Sequence, residues 1–223
     1  MPRLANAKTK RTAARIVSIL DEAQIPNFLF GWTAVSLYGY DREIPEIDFV
    51  VPDNMVKQAA HAVVRAGNLI CADPTCKDVK QDRFDPNLDA TYPYRRDRFH
   101  PVPERHFHLV SGDLLSFHRK SDIAWEIPDL QAGPPAANDP HIVLSTNGAV
   151  IPQRIEDGAS GPWYQLYPVK VLNADTFTDV VILLSCRDFD VPSAFDTLWR
   201  YYLIDVQDHK GCEKKIRPEF QEV

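Results

Sequence analysis

The sequence predicts an α+β protein: a mixed β-sheet flanked by helices, with a C-terminal helical extension. Three observations predict it. Between residues 9 and 72, short apolar runs of strand length alternate with stretches of helical periodicity. Two further strand-like runs, Arg105–Val110 and Leu114–His118, are joined by Ser111-Gly112-Asp113 and read as a hairpin. The last third then carries two helices, each with an apolar face.

Residues 9–23 place Ala13, Ile16, Val17, Leu20 and Ala23 on one helical face, with Pro26 just beyond the end. Phe28-Leu29-Phe30 is a short apolar strand running into Gly31. Thr33–Tyr38 is a short helix closed by Gly39 in the C′ position. Ile47–Val51 is a buried strand stopped by Pro52. Asp53 or Asn54 is expected to cap a helix through Ala66, and Leu69–Ala72 to form a strand. Residues 73–104, rich in Pro, Asp and Arg, read as a long loop, of the kind that is a functional flap or disordered. Residues 128–140, with four prolines and a glycine, read as a linker or surface crossing. Tyr167–Leu172 is a strand. Asp175 is expected to cap one helix, with Phe177, Val180, Val181 and Leu184 inward. Ser193 is expected to cap the last, with Phe195, Leu198, Trp199, Tyr202, Leu203 and Val206 inward. Residues 1–127 are therefore assigned to an α/β core. Residues 128–223 are assigned to a linker, a strand and helices packing on that core as one unit.

At 223 residues, with 44% hydrophobic and 25% charged side chains, the chain can bury a substantial core. A net charge of −6 argues against nucleic-acid binding, which is driven by phosphate neutralisation. The one basic patch worth noting is Arg95, Arg96 and Arg98 with Tyr92, Tyr94 and Phe99, read as a solvated loop. The basic N-terminus lacks the apolar run of a signal peptide, and no stretch approaches a membrane span. The four cysteines, Cys71, Cys76, Cys186 and Cys212, include no CxxC pair, so neither a disulfide scaffold nor a cysteine zinc site is expected. The expectation is a cytoplasmic protein with reduced thiols, Cys186 lying inert in a buried helix.

The informative stretch runs from Phe30 to Val51. Its order is strand, glycine turn, short helix ending at Leu37-Tyr38-Gly39, Arg42, then Glu46-Ile47-Asp48 on a strand. That order resembles the opening of minimal nucleotidyltransferases. The resemblance implies a nucleotidyltransferase-like fold, with Gly31 and the helix start near triphosphate oxygens. It also implies Glu46 and Asp48 as Mg²⁺ ligands, because carboxylates at i and i+2 share one side of a strand. Two departures stand out. Trp32 occupies the place of the family's second small residue. The strand His106–Val110 carries histidines where a third carboxylate for two-metal chemistry belongs. The segments Arg119–Trp125, Tyr167–Lys170 and Leu183–Asp188 are similar to those of fungal members of this superfamily with decayed catalytic signatures.

Each candidate has a chemical and a structural reading. Glu46 and Asp48 could hold a metal, or be a strand-edge residue and a salt-bridged group. His106 and His108 share a strand face and, with Asp48, could bind Zn, Fe or Ni, or simply wall a pocket. His118, Lys120 and Asp122 alternate if that stretch is extended, offering an acid, a cation and a carboxylate to one cleft, or a charged edge strand. Lys170 could enter the cleft or snorkel outward. Trp125, Trp163 and Trp199 read as core, and Trp32 as standing at the mouth of the ancestral site.

These residues support three functional expectations. The first is a repurposed enzyme acting on a largely apolar small molecule, by cyclisation or isomerisation in a biosynthetic pathway, with no cofactor and no nucleotide. Its catalytic set is Asp48, His106, His108, Lys120 and Asp122, and its binding set is Gly31, Trp32, Arg42, His118, Trp125 and Lys170. The second is a nucleotidyltransferase using an NTP and Mg²⁺ on Glu46 and Asp48. The third is a binding module whose partner docks on residues 73–104. Trp32 discriminates: an indole in the cleft favours the first, an indole in the core the second.

Overall fold

The computed structural model describes residues 8–40, 44–73, 76, 103–149, 151, 158–188 and 195–207. Helix α1 (Lys8–Glu22) buries Ala13, Ile16, Val17 and Leu20 completely, as their spacing requires. Strand β1 (Phe28–Phe30) leads directly into helix α2 (Gly31–Leu37). Strand β2 (Glu46–Val51) then runs back antiparallel to β1, with Phe30 opposite Asp48. A 3₁₀ turn at Asp53–Met55 opens helix α3 (Val56–Arg65). Strands β3 (Arg105–His108) and β4 (Leu114–Arg119) form the expected hairpin. Its turn is closed by the Leu109 N–H to the Asp113 carbonyl at 2.9 Å, with Gly112 at φ +86°. Asp113 also accepts the Thr9 hydroxyl at 2.7 Å, which ties the turn to α1. The short α4 (Lys120–Ile123) follows, then β5 (Ile142–Leu144), β6 (Lys170–Leu172), α5 (Ala174–Asp188) and α6 (Phe195–Gln207).

The strands form one six-stranded sheet in the order β3-β4-β2-β1-β6-β5. β2 and β4 are parallel, as are β1 and β6, and the remaining pairs are antiparallel. The α+β class with a mixed sheet flanked by helices is thus observed. The segment 128–223 contributes β5 and β6 to the same sheet, besides α5 and α6.

Side chains alternate across the sheet. One face presents Ile47, Phe49 and Val51, all fully buried, towards α1 and α3, which pack on each other. Burying each such side chain contributes about 1.5–3 kcal/mol. The other face carries Phe30, whose ring meets Phe177 of α5 and Trp199 and Tyr202 of α6 at 5.4–6.5 Å. That face also carries Glu46 and Asp48, the charged positions of β2.

Several local expectations are corrected. Leu69–Ala72 forms no strand; Ile70 alone bridges Phe107. Tyr167–Leu172 shortens to β6, consistent with Pro168 having no N–H for a ladder. β5 lies in a stretch to which no element had been assigned. Asn173, not Asp175, caps α5: its Oδ1 accepts the Thr176 N–H at 2.9 Å. Asp53 caps no helix of its own and accepts the Ser121 N–H at 3.1 Å, holding α4 against the start of α3. Cys186 is exposed on α5 rather than buried. Ser193, Arg42, Cys212, the arginine-rich patch at 95–98 and nearly all of the 73–104 loop lie outside the described residues.

Candidate functional site

Gly31 and Asp48 are built against each other. Gly31 turns the chain from β1 into α2 at φ +70°, a conformation glycine adopts without penalty. A Cβ there would lie 2.5 Å from Asp48 Oδ2, so the absence of a side chain is what lets the carboxylate sit beside the turn. Thr33, one turn into α2, donates its hydroxyl to the Glu46 carbonyl at 2.5 Å and fixes α2 to the start of β2.

β4 completes the constellation. In the parallel register Ser116 lies beside Asp48, and His118 beside Val50. His118 Nε2 reaches diagonally to Asp48 Oδ1 at 3.0 Å. The two side chains are only 2% and 4% exposed. With Asp48 ionised, Nε2–H is the donor and Nδ1 is left as the acceptor. Glu46 and Ser116, also buried, flank the pair. Such burial strengthens the ion pair or hydrogen bond relative to water.

The donor set fits a histidine–carboxylate pair better than a Mg²⁺ centre. Mg²⁺ demands near-octahedral oxygen ligation. Here β2 supplies two carboxylates on one face, but the neighbouring positions of β4 are Leu114, Ser116 and His118, with no third carboxylate. One oxygen of Asp48 is already committed to the imidazole.

Trp32 is part of the hydrophobic core. It is 3% exposed, stacks on Tyr40 at 5.0 Å and meets Tyr202 of α6 edge-on at 4.7 Å. As the second residue of α2 it packs into the α2–α6 contact. Its Nε1 has no hydrogen-bond partner among the described residues.

The other candidates disperse. β4 ends at Arg119 and the chain turns helical, so Lys120 and Asp122 do not alternate with His118. Asp122 is exposed, and its carbonyl accepts Arg187 at 2.5 Å. Arg187 also lies over the half-buried Trp125 ring at 5.5 Å. Lys170 neither enters this site nor reaches the surface. It is 3% exposed and donates to Asp21 Oδ1 at 3.2 Å and the Gly133 carbonyl at 3.1 Å. Tyr167 donates to the other Asp21 oxygen at 3.2 Å. Burial and the Asp21 charge push its phenol above the usual range.

His106 and His108 stand one strand further from Asp48 than His118 does. His106 pairs with Ser116, which pairs with Asp48, so β4 separates them and their backbones stand roughly 10 Å apart, two strand spacings. The histidines meet Cys71 and Cys76 instead. The four ligating atoms all lie within 4.8 Å of one another. Sequence reasoning missed this group because it sought a CxxC pair, although the signal, Cys71-x₄-Cys76 with His106-x-His108, was present.

No protein-family model matches the sequence, and no curated protein matches it. Among solved structures, the antibiotic-resistance factor ANT(2'')-Ia, a nucleotidyltransferase, aligns over 90% of this chain and 89% of its own, at 14% identity and a TM-score of 0.41. That structure was described as showing substrate-regulated conformation dynamics. At this score the likeness decides nothing about the present chain's reaction. Among the described residues, no helix is long and apolar enough to cross a membrane.

Proposed function

We propose that this chain is an enzyme on a nucleotidyltransferase-like scaffold that has exchanged nucleotide chemistry for acid–base chemistry on a small, largely apolar molecule. The observation that carries the reading is the buried 3.0 Å contact of His118 Nε2 with Asp48 Oδ1, beside a glycine whose missing side chain makes room for the carboxylate. In this reading His118 removes a proton from the substrate and returns it at another atom. Asp48 holds the imidazole and stabilises the imidazolium between the two steps. No atom is gained or lost, which suits an isomerisation or cyclisation. The resemblance to fungal superfamily members supports a biosynthetic role.

The burial of Trp32 favours a second reading, because an indole turned into the core leaves the Gly31 turn free of it. In that reading the chain is a Mg²⁺-dependent nucleotidyltransferase. A thermal-shift screen separates the two. ATP, CTP, GTP and UTP, each with and without Mg²⁺, are compared with apolar carbonyl compounds, on the native chain and on Asp48→Asn. A ligand at about 100 times its Kd adds about 2.7 kcal/mol of stability. Stabilisation by a carbonyl compound, lost in Asp48→Asn, is the expected result. Stabilisation by an NTP only with Mg²⁺ would replace the first reading with the second. Once a substrate is found, His118→Asn should lower kcat about 10²–10⁴-fold.

A further inference from the structure

The geometry points to a structural zinc site, Cys71–Cys76–His106–His108, at the β3 edge of the sheet, independent of the Asp48–His118 pair. Two strand positions and one turn build it. His106 and His108 alternate along β3 and so project from the same face. Their rings stand 5.5 Å apart, nearly perpendicular. The chain returns beside β3 at Ile70, which bridges Phe107, and the Cys71 N–H donates to the His106 carbonyl at 3.0 Å. That contact delivers Cys71 to the histidine face. A turn closed by the Cys76 N–H to the Asp73 carbonyl at 3.3 Å then brings Cys76 back over His108, with Sγ 3.3 Å from Nε2.

The chemistry of the set selects the ion. Two thiolates and two imidazoles in a compact cluster are the donors of tetrahedral zinc. With Zn–S near 2.3 Å and Zn–N near 2.05 Å, tetrahedral ligand atoms stand about 3.3–3.8 Å apart. The observed Sγ–Nε2 separation of 3.3 Å is at that value, and the 4.8 Å bound on the whole cluster leaves only a small contraction to reach it. All four positions are filled by protein side chains, which marks a closed, structural site rather than a catalytic one. The thiols are not joined to each other, and Cys76 and His106 are buried while Cys71 and His108 retain access for an entering ion. The ion would clip Cys71 and Cys76 to β3, joining parts of the chain about 30 residues apart.

The test uses the full chain, purified under reducing conditions. The expected result is one tightly held zinc per chain by elemental analysis. Co²⁺ in its place should give the intense visible bands of tetrahedral cobalt and a thiolate-to-metal charge-transfer band in the near ultraviolet. Cys76→Ser and His106→Asn should abolish the charge-transfer intensity or the stoichiometric binding, while Cys186→Ser, at the exposed cysteine of α5, should leave both intact. Because a ligand variant can fail to fold, the native chain supplies a second readout. Zinc should protect Cys71 and Cys76 from alkylation and a chelator should expose them, with Cys186 reacting alike in both. Octahedral cobalt spectra, alkylation insensitive to zinc, or a Cys71–Cys76 disulfide in the freshly isolated reduced chain would each overturn the proposal. None of these readouts depends on Asp48 or on any enzymatic activity.

Discussion

His118 and His106 stand on the same face of the same sheet, on neighbouring strands, yet they are placed in different settings. His118 lies on β4, inside the sheet, where its parallel neighbour β2 brings a carboxylate within 3.0 Å. His106 lies on the edge strand β3, beyond the reach of β2, where an incoming turn brings two thiols. An interior position on a parallel ladder fixes the partner through register, and the pair is buried with it. An edge position leaves room for a distant segment to add ligands, and half of that group stays accessible. One strand's displacement therefore separates a charge pair suited to proton transfer from a group suited to holding a metal.

The largest effect should come from splitting the interior pair. His118→Ala takes the imidazole from a buried carboxylate, at a cost of up to about 3–5 kcal/mol. The check is chemical denaturation of single and double variants. If the pair is the source, Asp48→Asn combined with His118→Leu should be markedly less damaging than the sum of the singles, because neither partner then leaves the other's charge uncompensated. Additive losses would mean that the two groups are held by different partners. At the edge site, by comparison, His106→Asn should cost stability only when the protein is compared in its metal-loaded form.

Gly31→Ala comes next. The left-handed backbone costs about 1–2 kcal/mol, and the Cβ contact with Asp48 Oδ2 adds about 1–3 kcal/mol of overpacking. A total of about 2–5 kcal/mol is expected by denaturant midpoint. In an Asp48→Ala background the contact term vanishes and only the backbone term should remain. A cost unchanged by that background would show that Gly31 is needed for the turn alone.

A third test concerns Lys170, whose buried amine holds the end of α1 to β6 through Asp21. Lys170→Met should cost about 1–3 kcal/mol, the range for losing a charge-assisted hydrogen bond, and should leave Co²⁺ binding at the edge cluster unchanged. The same residue shows where sequence reading ends. Periodicity found α1, β1, α2, β2, α3, the β3–β4 hairpin, α5 and the inward face of α6, because each buries an apolar stripe with its own period. Glu46 and Asp48 were legible because i and i+2 on a strand must share a face. Whether Asp48 meets His118 or His106 depended on which strand lies next to β2, and strand order is a tertiary fact: the chain passes β3 before it lays β4 alongside β2. The same holds for Lys170, whose partner Asp21 is 149 residues away. The direction of Trp32 was not legible for a more local reason. Its motif position said where the family carries a small residue, while its direction was set by α2 packing on α6.

The smallest expected effect is at Asp53, where the sequence suggested a cap and the structure shows a bond across elements. Partial burial raises its pKa, but hydrogen bonds from Ser121 and the nearby Arg119 and Lys120 charges outweigh this and hold the carboxyl below its ordinary value. A depressed carboxylate contributes stability that is present above its unfolded pKa, near 3.9, and is lost as pH falls through the lower folded value. Asp53→Asn should therefore lower Tm slightly at pH 7, and the difference from the native chain should shrink as the pH is taken below 4. A Tm difference that stays constant from pH 7 down to pH 3 would mean that the Asp53 charge contributes nothing to holding α4 in place.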